Sequence, residues 1–334
     1  MQDMTFRAIR VLETREGFRR EMVQRQLTDL PEGEVLIRVH YSSLNYKDAL
    51  SATGHKGITR TYPHTPGIDA AGVVVESTHP DIKPGQKVIV TSYDLGMNTD
   101  GGFGEYIRVP ASWVVGLPQS MTLFESMVLG TAGFTAALAL YKLERNGLNP
   151  SDGPVVVTGA SGGVGSLAVA LLVKRGYEVA AVSGSPAAYD MLRQLGAHEI
   201  LPREAVNDTT GRPILKSRWA GAIDTVGGNT LATLLKTSRR EASIAVCGLV
   251  ASPELPTTVY PFILNGVNLL GIDSATYPMP LRKQLWSLLA NKWSLPQMHS
   301  LTTEVPLDQL DPYVEEMLRG NTQGRIVVDL TKKE

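Results

Sequence analysis

The sequence has very little cysteine. Of its 334 residues only Cys247 carries a thiol, so no disulfide can form within the chain. A reducing, cytoplasmic location is therefore expected. Cys247 lies in an apolar run, 243–249, that is typical of a strand, so we expect a buried, inert thiol rather than a nucleophile.

The sequence also lacks an excess of either charge and any long apolar run. Its 32 Lys and Arg against 33 Asp and Glu give a net charge of -1, which provides no general field for nucleic acid or an anionic membrane. Apolar runs such as 168–173 are too short to span a bilayer. The first twenty residues are rich in Arg and Glu, which predicts no signal peptide. We expect neither a nucleic-acid partner nor a membrane partner, and local groups must hold any anionic ligand.

The most informative stretch is an apolar run that ends in a glycine-rich turn. Val155-Val156-Val157 predicts a strand buried on both faces, and the segment after the turn has a helical composition. In the pattern G-x-G-x-x-G, Ala160 takes the first position, Gly162 the second and Gly165 the third. Gly162 would let the backbone approach a pyrophosphate, and Gly165 would let the helix pack closely on the strand. A second strand at 178–183 argues against a mobile surface loop and predicts dinucleotide binding at the helix N-terminus.

The residues after this second strand predict which dinucleotide binds. An NAD enzyme places Asp or Glu there, whereas this chain has Ser183-Gly184-Ser185-Pro186 and no carboxylate before Asp190. Arg203, after the third strand, could supply a bidentate guanidinium to a 2′-phosphate, and Tyr189 could add a hydroxyl donor. Arg203 alone could equally be a solvated surface cation. We expect NADPH rather than NADH.

The chain is long enough for two domains. Residues 1–123 carry short strand candidates between Pro and Gly turns, which predicts a partly open β-barrel. Residues 124–274 alternate six strand candidates with helical stretches, which predicts a doubly wound parallel sheet with its ligand at the carboxyl ends of the strands. Residues 275–334 are expected to complete the first domain. They hold two predicted helices and a last strand, at 280–292, 307–319 and 324–330.

Five motifs together resemble the medium-chain dehydrogenase/reductase superfamily. They lie at residues 43–48 (SLNYKD), 66–72, 84–88, 101–106 and 160–165. The resemblance implies an α/β fold with two parts: a GroES-like catalytic domain built from both chain ends, and a Rossmann domain inserted between them. It also implies a homodimer whose Rossmann sheets join at the strand 268–273.

The resemblance is to members of this superfamily that lack zinc. Zinc alcohol dehydrogenases carry a Cys in the motif that here reads Leu44-Asn45-Tyr46, and a His-Glu pair where this chain has Ile68-Asp69. The four-cysteine structural site is missing too, so no metal is expected. The chain resembles the quinone oxidoreductase-like branch and, within it, the NADPH-dependent acrylyl-CoA reductase family. The strings that carry this resemblance are 42–50, 129–136, 219–227 and 255–264. A departure is Ser185, where relatives can have an arginine.

This resemblance implies reduction of a short enoyl-CoA thioester such as acryloyl-CoA. Hydride adds to the β-carbon, and the enzyme must orient the substrate, stabilise the carbonyl oxygen and deliver a proton to the α-carbon. Tyr46 is the candidate donor, with Asn45 and Asp48 beside it. Alternatively, Tyr46 is an aromatic wall for the nicotinamide, water supplies the proton, and Asp48 only orients Asn45 or Lys47. Arg325 is a candidate for ordering the cleft or binding phosphate.

The predicted cofactor contacts are the glycine turn, the loop after the second strand and the far wall of the nicotinamide cleft. With Tyr46, they are Ser161, Gly162, Gly163, Val164, Ser183, Gly184, Ser185, Arg203, Leu249, Ile263 and Ser274. Two other functions fit the same residues. One is an NADPH:quinone oxidoreductase, and the other is a non-enzymatic NADPH-binding scaffold like some lens crystallins.

Overall fold

The computed structural model describes residues 4–332, and the chain folds into two compact units. The first contains residues up to Thr131, then Ala275–Asn291 and the residues from Met298 onward. The second contains Ala132–Ser274 and the short segment Lys292–Gln297. The predicted boundary at residue 123 thus differs from the observed division, because residue 123 begins a long helix and does not end a unit.

Strands and helices are numbered along the described residues. The strands are β1 (Thr5–Thr14), β2 (Gly17–Gln26), β3 (Val35–Leu44), β4 (Asp69–Ser77), β5 (Lys87–Thr91), β6 (Tyr106–Val109), β7 (Val115–Gly116), β8 (Val155–Val157), β9 (Val179–Val182), β10 (Glu199–Leu201), β11 (Trp219–Asp224), β12 (Ser238–Val246), β13 (Asn268–Gly271), β14 (Thr302–Pro306) and β15 (Arg325–Asp329). The α-helices are α1 (Tyr46–Ala52), α2 (Leu123–Arg145), α3 (Gly163–Lys174), α4 (Tyr189–Gln194), α5 (Gly228–Thr237), α6 (Tyr260–Asn265), α7 (Met279–Ala290) and α8 (Asp311–Leu318).

The first unit is built on a mixed sheet that joins both ends of the chain. Within the described residues its order is β14-β15-β3-β4-β5-β7, with β6 also paired to β3. β14 and β15 run parallel, and the other ladders are antiparallel. Every residue of β15 is buried. β15 therefore packs inside the first unit beside β3, where Ile326 pairs with Leu44, and this arrangement places Arg325 close to the end of β3.

Three local features of the first unit were not expected from the sequence. The charged N-terminal residues form the β1–β2 hairpin, in which Phe6, Ala8, Val11 and also Arg25 are buried, and Arg25 Nη1 pairs with Asp100 Oδ2 at 2.7 Å. β14 was also missed. The predicted helix at 307–319 is a short 3-10 turn followed by α8, because Pro312 lacks a backbone N–H and so starts a helix more readily than it continues one.

The second unit is a doubly wound parallel sheet, as predicted. In the part of the chain that is described, the strand order is β10-β9-β8-β11-β12-β13, and all its ladders are parallel. β8, β9 and β11 are buried along their whole length. The winding direction reverses between β8 and β11, and ligands of such sheets bind at the carboxyl ends of strands at that point.

The prediction that every apolar segment is too short to span a bilayer was wrong for α2. This helix has 23 residues, and its most apolar window has a mean hydropathy of 1.5. Of that window, 83% is buried within the protein, as in a core helix. Its helical backbone is interrupted at Gly130.

Candidate functional site

The turn between β8 and α3 has the geometry of a dinucleotide-binding turn. Gly159 has a φ of +57°, and a Cβ there would overlap the Thr225 hydroxyl, so this turn requires glycine. The sequence pattern had assigned the tight turn to Ala160, which is instead fully buried. A Cβ on Gly165 would overlap the Gly159 carbonyl oxygen, which explains how α3 packs so closely. A Cβ on Gly162 would lie 3.4 Å from the Gly159 carbonyl oxygen, so packing within the protein does not require glycine there. The close approach of Gly162 to a pyrophosphate stays a prediction.

Asp224, a residue that sequence reasoning missed, holds the ends of β8 and β11 together. Its carboxylate accepts hydrogen bonds from the Thr158 hydroxyl at 2.7 Å and from the Gly227 N–H at 2.8 Å. The Thr225 N–H in turn donates to Thr158 Oγ1 at 3.1 Å. Burial raises the pKa of Asp224. The bonds fix the backbone at the point where the winding direction changes.

The loop after β9 brings five of the predicted cofactor residues together. The Ser183 hydroxyl donates to Ser161 Oγ at 3.0 Å and accepts from the Ser185 N–H at 3.1 Å. The Arg203 side chain lies directly over Gly184, where a Cβ would overlap its Nε atom. The result is an exposed guanidinium beside two serines, a set of donors that suits a phosphate monoester.

The loop that directly follows β9, residues 183–189, contains no carboxylate that would repel a bound phosphate. The first acid after β9 is Asp190, and its Oδ1 accepts from Arg193 Nη1 at 2.6 Å, one helical turn further on. An acid that would bind a ribose 2′-hydroxyl is therefore missing, as the sequence indicates.

The three residues predicted as the far wall are less closely grouped. Leu249 follows β12 and is 63% exposed, and Ile263 on α6 is 68% exposed. The Ser274 hydroxyl accepts a hydrogen bond from Thr135 Oγ1 at 2.7 Å. Exposed apolar side chains suit a wall for a planar ring or a subunit contact, and the assignment of these residues to the nicotinamide stays a prediction.

In the first unit, α1 begins at Tyr46 because Asn45 and Asp48 form a capping box. The Asn45 N–H donates to Asp48 Oδ2 at 2.8 Å, and the Ile68 N–H donates to Asp48 Oδ1 at 2.8 Å. Asp48 is fully buried, and this burial, with a contribution from Asp69, raises its pKa to about 7. Asp48 thus orients Asn45. The Tyr46 ring, by contrast, is 44% exposed.

The carboxylate of Asp69 lies at the centre of a second set of hydrogen bonds. It accepts from the Ser43 hydroxyl at 2.6 Å and from Asn45 Nδ2 at 2.8 Å. It also accepts from the Thr131 hydroxyl at 2.6 Å and from the Thr131 N–H at 2.9 Å. Asp69 is fully buried. The only sequence signal for it was that Ile68-Asp69 stands where zinc enzymes have a His-Glu pair.

Arg325 lies behind Asn45 in the same cluster. Its Nε donates to the Val128 carbonyl at 2.8 Å, and its Nη1 donates to Asn45 Oδ1 at 3.3 Å. Burial lowers its pKa, although Asp69 and Asp48 act in the opposite direction. Only 2% of Arg325 is exposed, which leaves no surface for a phosphate group. The predicted phosphate-binding role is therefore unsupported, and the ordering role remains.

No group of three or more His, Cys, Asp or Glu residues is arranged to hold a metal ion in the described range. The oxygens of Asp69 are occupied by hydrogen-bond donors. Cys247 is half-buried rather than buried as expected. Its thiol donates to the Asp224 carbonyl at 3.4 Å, and burial of the thiol raises its pKa to about 12, which fits an inert thiol.

Two family models match the chain. An alcohol dehydrogenase GroES-like domain matches residues 31–119, and a zinc-binding dehydrogenase domain matches residues 163–291. The two matches correspond to parts of the first and the second unit, respectively, apart from the last residues of the second match.

Two curated relatives match nearly the whole chain. YhfP of Bacillus subtilis, provisionally named a quinone oxidoreductase, is 49% identical over 90% of this chain and 92% of its own length. Acrylyl-CoA reductase AcuI of Ruegeria pomeroyi is 46% identical over 92% of this chain and 93% of its own.

Two solved structures have nearly the same fold. The yhdH oxidoreductase of Salmonella enterica, in complex with NADP, has a TM-score of 0.95 and 42% identity, covering 98% of this chain and 100% of that one. The Bacillus subtilis yhfP protein, with NAD bound, has a TM-score of 0.95 and 46% identity at the same coverage.

Proposed function

Because this chain belongs to the medium-chain dehydrogenase/reductase superfamily, we propose that it uses NADPH to reduce the activated C=C bond of acryloyl-CoA, giving propionyl-CoA without zinc. The observation that carries the choice of cofactor is Arg203 lying over Gly184 beside Ser183 and Ser185. A guanidinium with neighbouring hydroxyls and no acid favours the 2′-phosphate of NADPH over the free hydroxyl of NADH. The NADP in the Salmonella enterica structure supports this choice, and the Bacillus subtilis yhfP structure has NAD bound.

The proposed substrate is supported by the relative that matches over nine-tenths of both chains and is named for acrylyl-CoA. Bound NADPH supplies a hydride, which adds to the β-carbon as the C=C electron pair moves toward the thioester carbonyl. A proton then adds to the α-carbon, so that acryloyl-CoA, NADPH and H⁺ give propionyl-CoA and NADP⁺. The protein must hold the thioester oxygen and admit a proton on the α-carbon side.

Tyr46 is the residue to which we assign this contact. Its side chain is 44% exposed, whereas Asn45 uses both amide atoms in contacts with Asp69 and Arg325. Asn45 and Asp48 therefore position Tyr46, and Tyr46 contacts the substrate. Replacing Tyr46 by Phe separates its two candidate roles. A fall in kcat of about 100-fold or more indicates a donor role, and unchanged turnover leaves only the packing role.

A quinone is the second candidate acceptor, since the relative with 49% identity carries a quinone oxidoreductase name. A quinone needs no positioned proton donor at carbon, so its reduction would depend little on Tyr46. The two acceptors are distinguished by the loss of NADPH absorbance with acryloyl-CoA, crotonyl-CoA and a benzoquinone at equal concentrations. With NADPH as donor, we expect acryloyl-CoA to be reduced faster than the other two acceptors. With acryloyl-CoA as acceptor, we expect NADH to be oxidised more slowly than NADPH. Loss with benzoquinone alone would contradict the proposed substrate.

We also propose that the chain is a cytoplasmic homodimer. β13 is the last strand of its sheet in the described residues, and the neighbouring helix α6 exposes Tyr260, Ile263 and Leu264. An open strand edge beside exposed apolar side chains favours pairing with a second copy. Size-exclusion chromatography with light scattering should give twice the chain mass of 36.1 kDa, and a monomer at micromolar concentration would contradict the proposal.

A further inference from the structure

We propose that Asp69 is a positioning residue for the reaction, acting through Asn45 on Tyr46; this rests on the proposed function in so far as Tyr46 is taken to contact the substrate. Asp69 is fully buried and touches neither substrate nor cofactor itself. Nothing in the sequence pattern had assigned it a role. The inference comes from the hydrogen bonds that converge on its carboxylate.

The route from Asp69 to Tyr46 passes through one side chain. Asn45 Nδ2 donates to Asp69 Oδ2 at 2.8 Å and to Asp48 Oδ2 at 3.2 Å, while Asn45 Oδ1 accepts from Arg325 at 3.3 Å. The amide group of Asn45 is thus fixed on both sides. Asn45 is the N-cap residue of α1, and its backbone N–H donates to Asp48 Oδ2 at 2.8 Å, so a displacement of Asn45 also displaces the start of the helix and the next residue, Tyr46.

The backbone around Asp69 is distorted in a way that serves this carboxylate. Gly130 interrupts α2 with φ 50° and ψ −152°, and the Thr131 N–H that follows donates to Asp69 instead of to a helix carbonyl. A Cβ on Gly130 would overlap Asp69 Oδ2 and lie 2.7 Å from Ser43 Oγ. Ser92, whose φ is 62°, places its hydroxyl 2.8 Å from Thr131 Oγ1. Strained backbone of this kind persists where the surrounding structure requires it, and it is frequent at functional sites.

A purely structural role for Asp69 predicts a different pattern of effects, and Asp329 provides a matched control. Asp329 is another buried carboxylate of the first unit, 2% exposed, and it accepts from the Thr331 hydroxyl at 2.6 Å and the Thr331 N–H at 2.8 Å. It contacts Thr331 and Lys332 at the end of β15, and none of its hydrogen bonds involves Asn45 or Tyr46. Removing its charge reports what the loss of a buried carboxylate does to the fold alone.

The test measures kcat and KM for the holoenzyme with acryloyl-CoA, together with the unfolding midpoint in urea. For Asp69→Asn we expect kcat to fall about 100-fold with KM for NADPH changed less than about 3-fold, because a displaced catalytic group loses rate at constant cofactor affinity. Asp329→Asn should lower the unfolding midpoint but keep kcat within about 3-fold of wild type. Equal effects of the two substitutions on kcat would overturn the proposal.

A double-mutant cycle tests whether the effect passes through Tyr46. In a Tyr46→Ala background, Asp69→Asn should change kcat by less than about 3-fold, because the group it positions is already gone. A full 100-fold effect in that background would mean that Asp69 acts elsewhere. If wild-type protein reduces benzoquinone and not acryloyl-CoA, the proposed function fails, and the inference is then tested by a measurement that needs no turnover.

A measurement without turnover keeps the inference separate from the reaction. In protein labelled with 3-fluorotyrosine, the fluorine resonance that disappears in Tyr46→Phe belongs to Tyr46. Asp69→Asn should shift or split this resonance, because the start of α1 loses its anchor, and Asp329→Asn should leave it in place. An unmoved Tyr46 resonance in Asp69→Asn would contradict the inference even if the enzyme proves to have another substrate.

Discussion

The Asp69 cluster of the first unit and the loop after β9 in the second unit hold their charged groups in opposite ways. In the first, Asp48, Asp69 and Arg325 are all buried, and nearly every polar atom they carry is occupied by a neighbour within the protein. In the second, the Arg203 guanidinium is exposed on a loop, beside Ser183. A buried network can act only through geometry, whereas an exposed cation can bind a ligand directly. Substitutions in the first unit should therefore change stability and kcat, and those in the second should change cofactor affinity.

The largest effect is expected where the buried network constrains the backbone. Gly130→Ala should lower the free energy of unfolding by about 4 kcal/mol. An alanine at φ +50° has a strained backbone, and its Cβ would overlap the Asp69 carboxylate. Gly176→Ala is the matched control, since Gly176 has a φ of +84° but open space around it, so only about 1 kcal/mol of backbone strain is expected. Urea unfolding measures both. Equal losses of unfolding free energy in the two variants would mean that the hydrogen bonds of Asp69 tolerate the displacement caused by the new methyl group.

The next effect is a change of the free energy of unfolding with pH. Its direction depends on whether the pKa of a buried carboxyl is raised or lowered. Because burial raises the pKa of Asp48 to about 7, folding favours its protonated form. The stabilisation this provides is complete below the ordinary pKa of 3.8 and is lost as the pH rises through 7. Between pH 5 and pH 8 the loss should be about 2–3 kcal/mol. Asp48→Asn should remove this pH dependence, so that its deficit relative to wild type shrinks as the pH rises.

Asp329→Asn supplies the contrast for this titration. Burial of Asp329 is outweighed by hydrogen bonds from Thr331, so its pKa is lowered. Its contribution to stability is present above the ordinary pKa and is lost only in more acidic solution. The deficit of Asp329→Asn should therefore be constant from pH 5 to pH 8. A constant deficit for Asp48→Asn as well would show that Asp48 is already ionised at pH 5.

In the second unit, Arg203→Ala should weaken NADPH binding by about 2 kcal/mol, or about 30-fold, and leave NADH binding unchanged, because the lost charge-assisted bonds go to the 2′-phosphate. The unfolding free energy should change little, since the side chain is exposed. Arg193→Ala, which removes an exposed cation that pairs with Asp190, is the control and should affect neither coenzyme. Equal weakening of NADPH and NADH by Arg203→Ala would contradict the proposed contact.

The smallest effect is expected for Ser183→Ala. It removes a hydroxyl that links Ser161 to the Ser185 N–H, and NADPH affinity should fall by about 1 kcal/mol, or about 5-fold, with no loss of kcat. Fluorescence titration with NADPH measures this change. A loss of kcat larger than the loss of affinity would show that this loop also acts by geometry, as the buried network of the first unit does.

Sequence patterns predicted the second unit better than the first, for a physical reason. The apolar strand, the glycine turn and the helix of the dinucleotide-binding unit are local in the chain, and so are Ser183 and Ser185. The Asp69 network is not: its donors come from β3, from Asn45 just before α1 and from Thr131 at the interruption of α2, and the nearest of them lies 24 residues from Asp69 in the chain. No local periodicity indicates that such groups meet.

Contacts between distant residues also explain the other differences. Residues 123–145 have the composition of one continuous helix, and only the contact with Asp69 shows why Gly130 breaks it. The β1–β2 hairpin is hidden by its many charged residues, because burial of only a few side chains on β1 is enough to fix it against the first unit. The resemblance to a known superfamily predicted the GroES-like fold of the first unit, but not its β1–β2 hairpin or β14.

The most direct test of the account follows the transferred hydrogen. The purified protein is mixed with acryloyl-CoA and NADPH that carries deuterium at the transferred position of its nicotinamide, in ordinary water, and the product is analysed by mass spectrometry and NMR. The account predicts propionyl-CoA with one deuterium on its β-carbon and ordinary hydrogen from water on its α-carbon. Deuterium on the α-carbon, an unlabelled product, or NADPH consumed only when a quinone is present would contradict it.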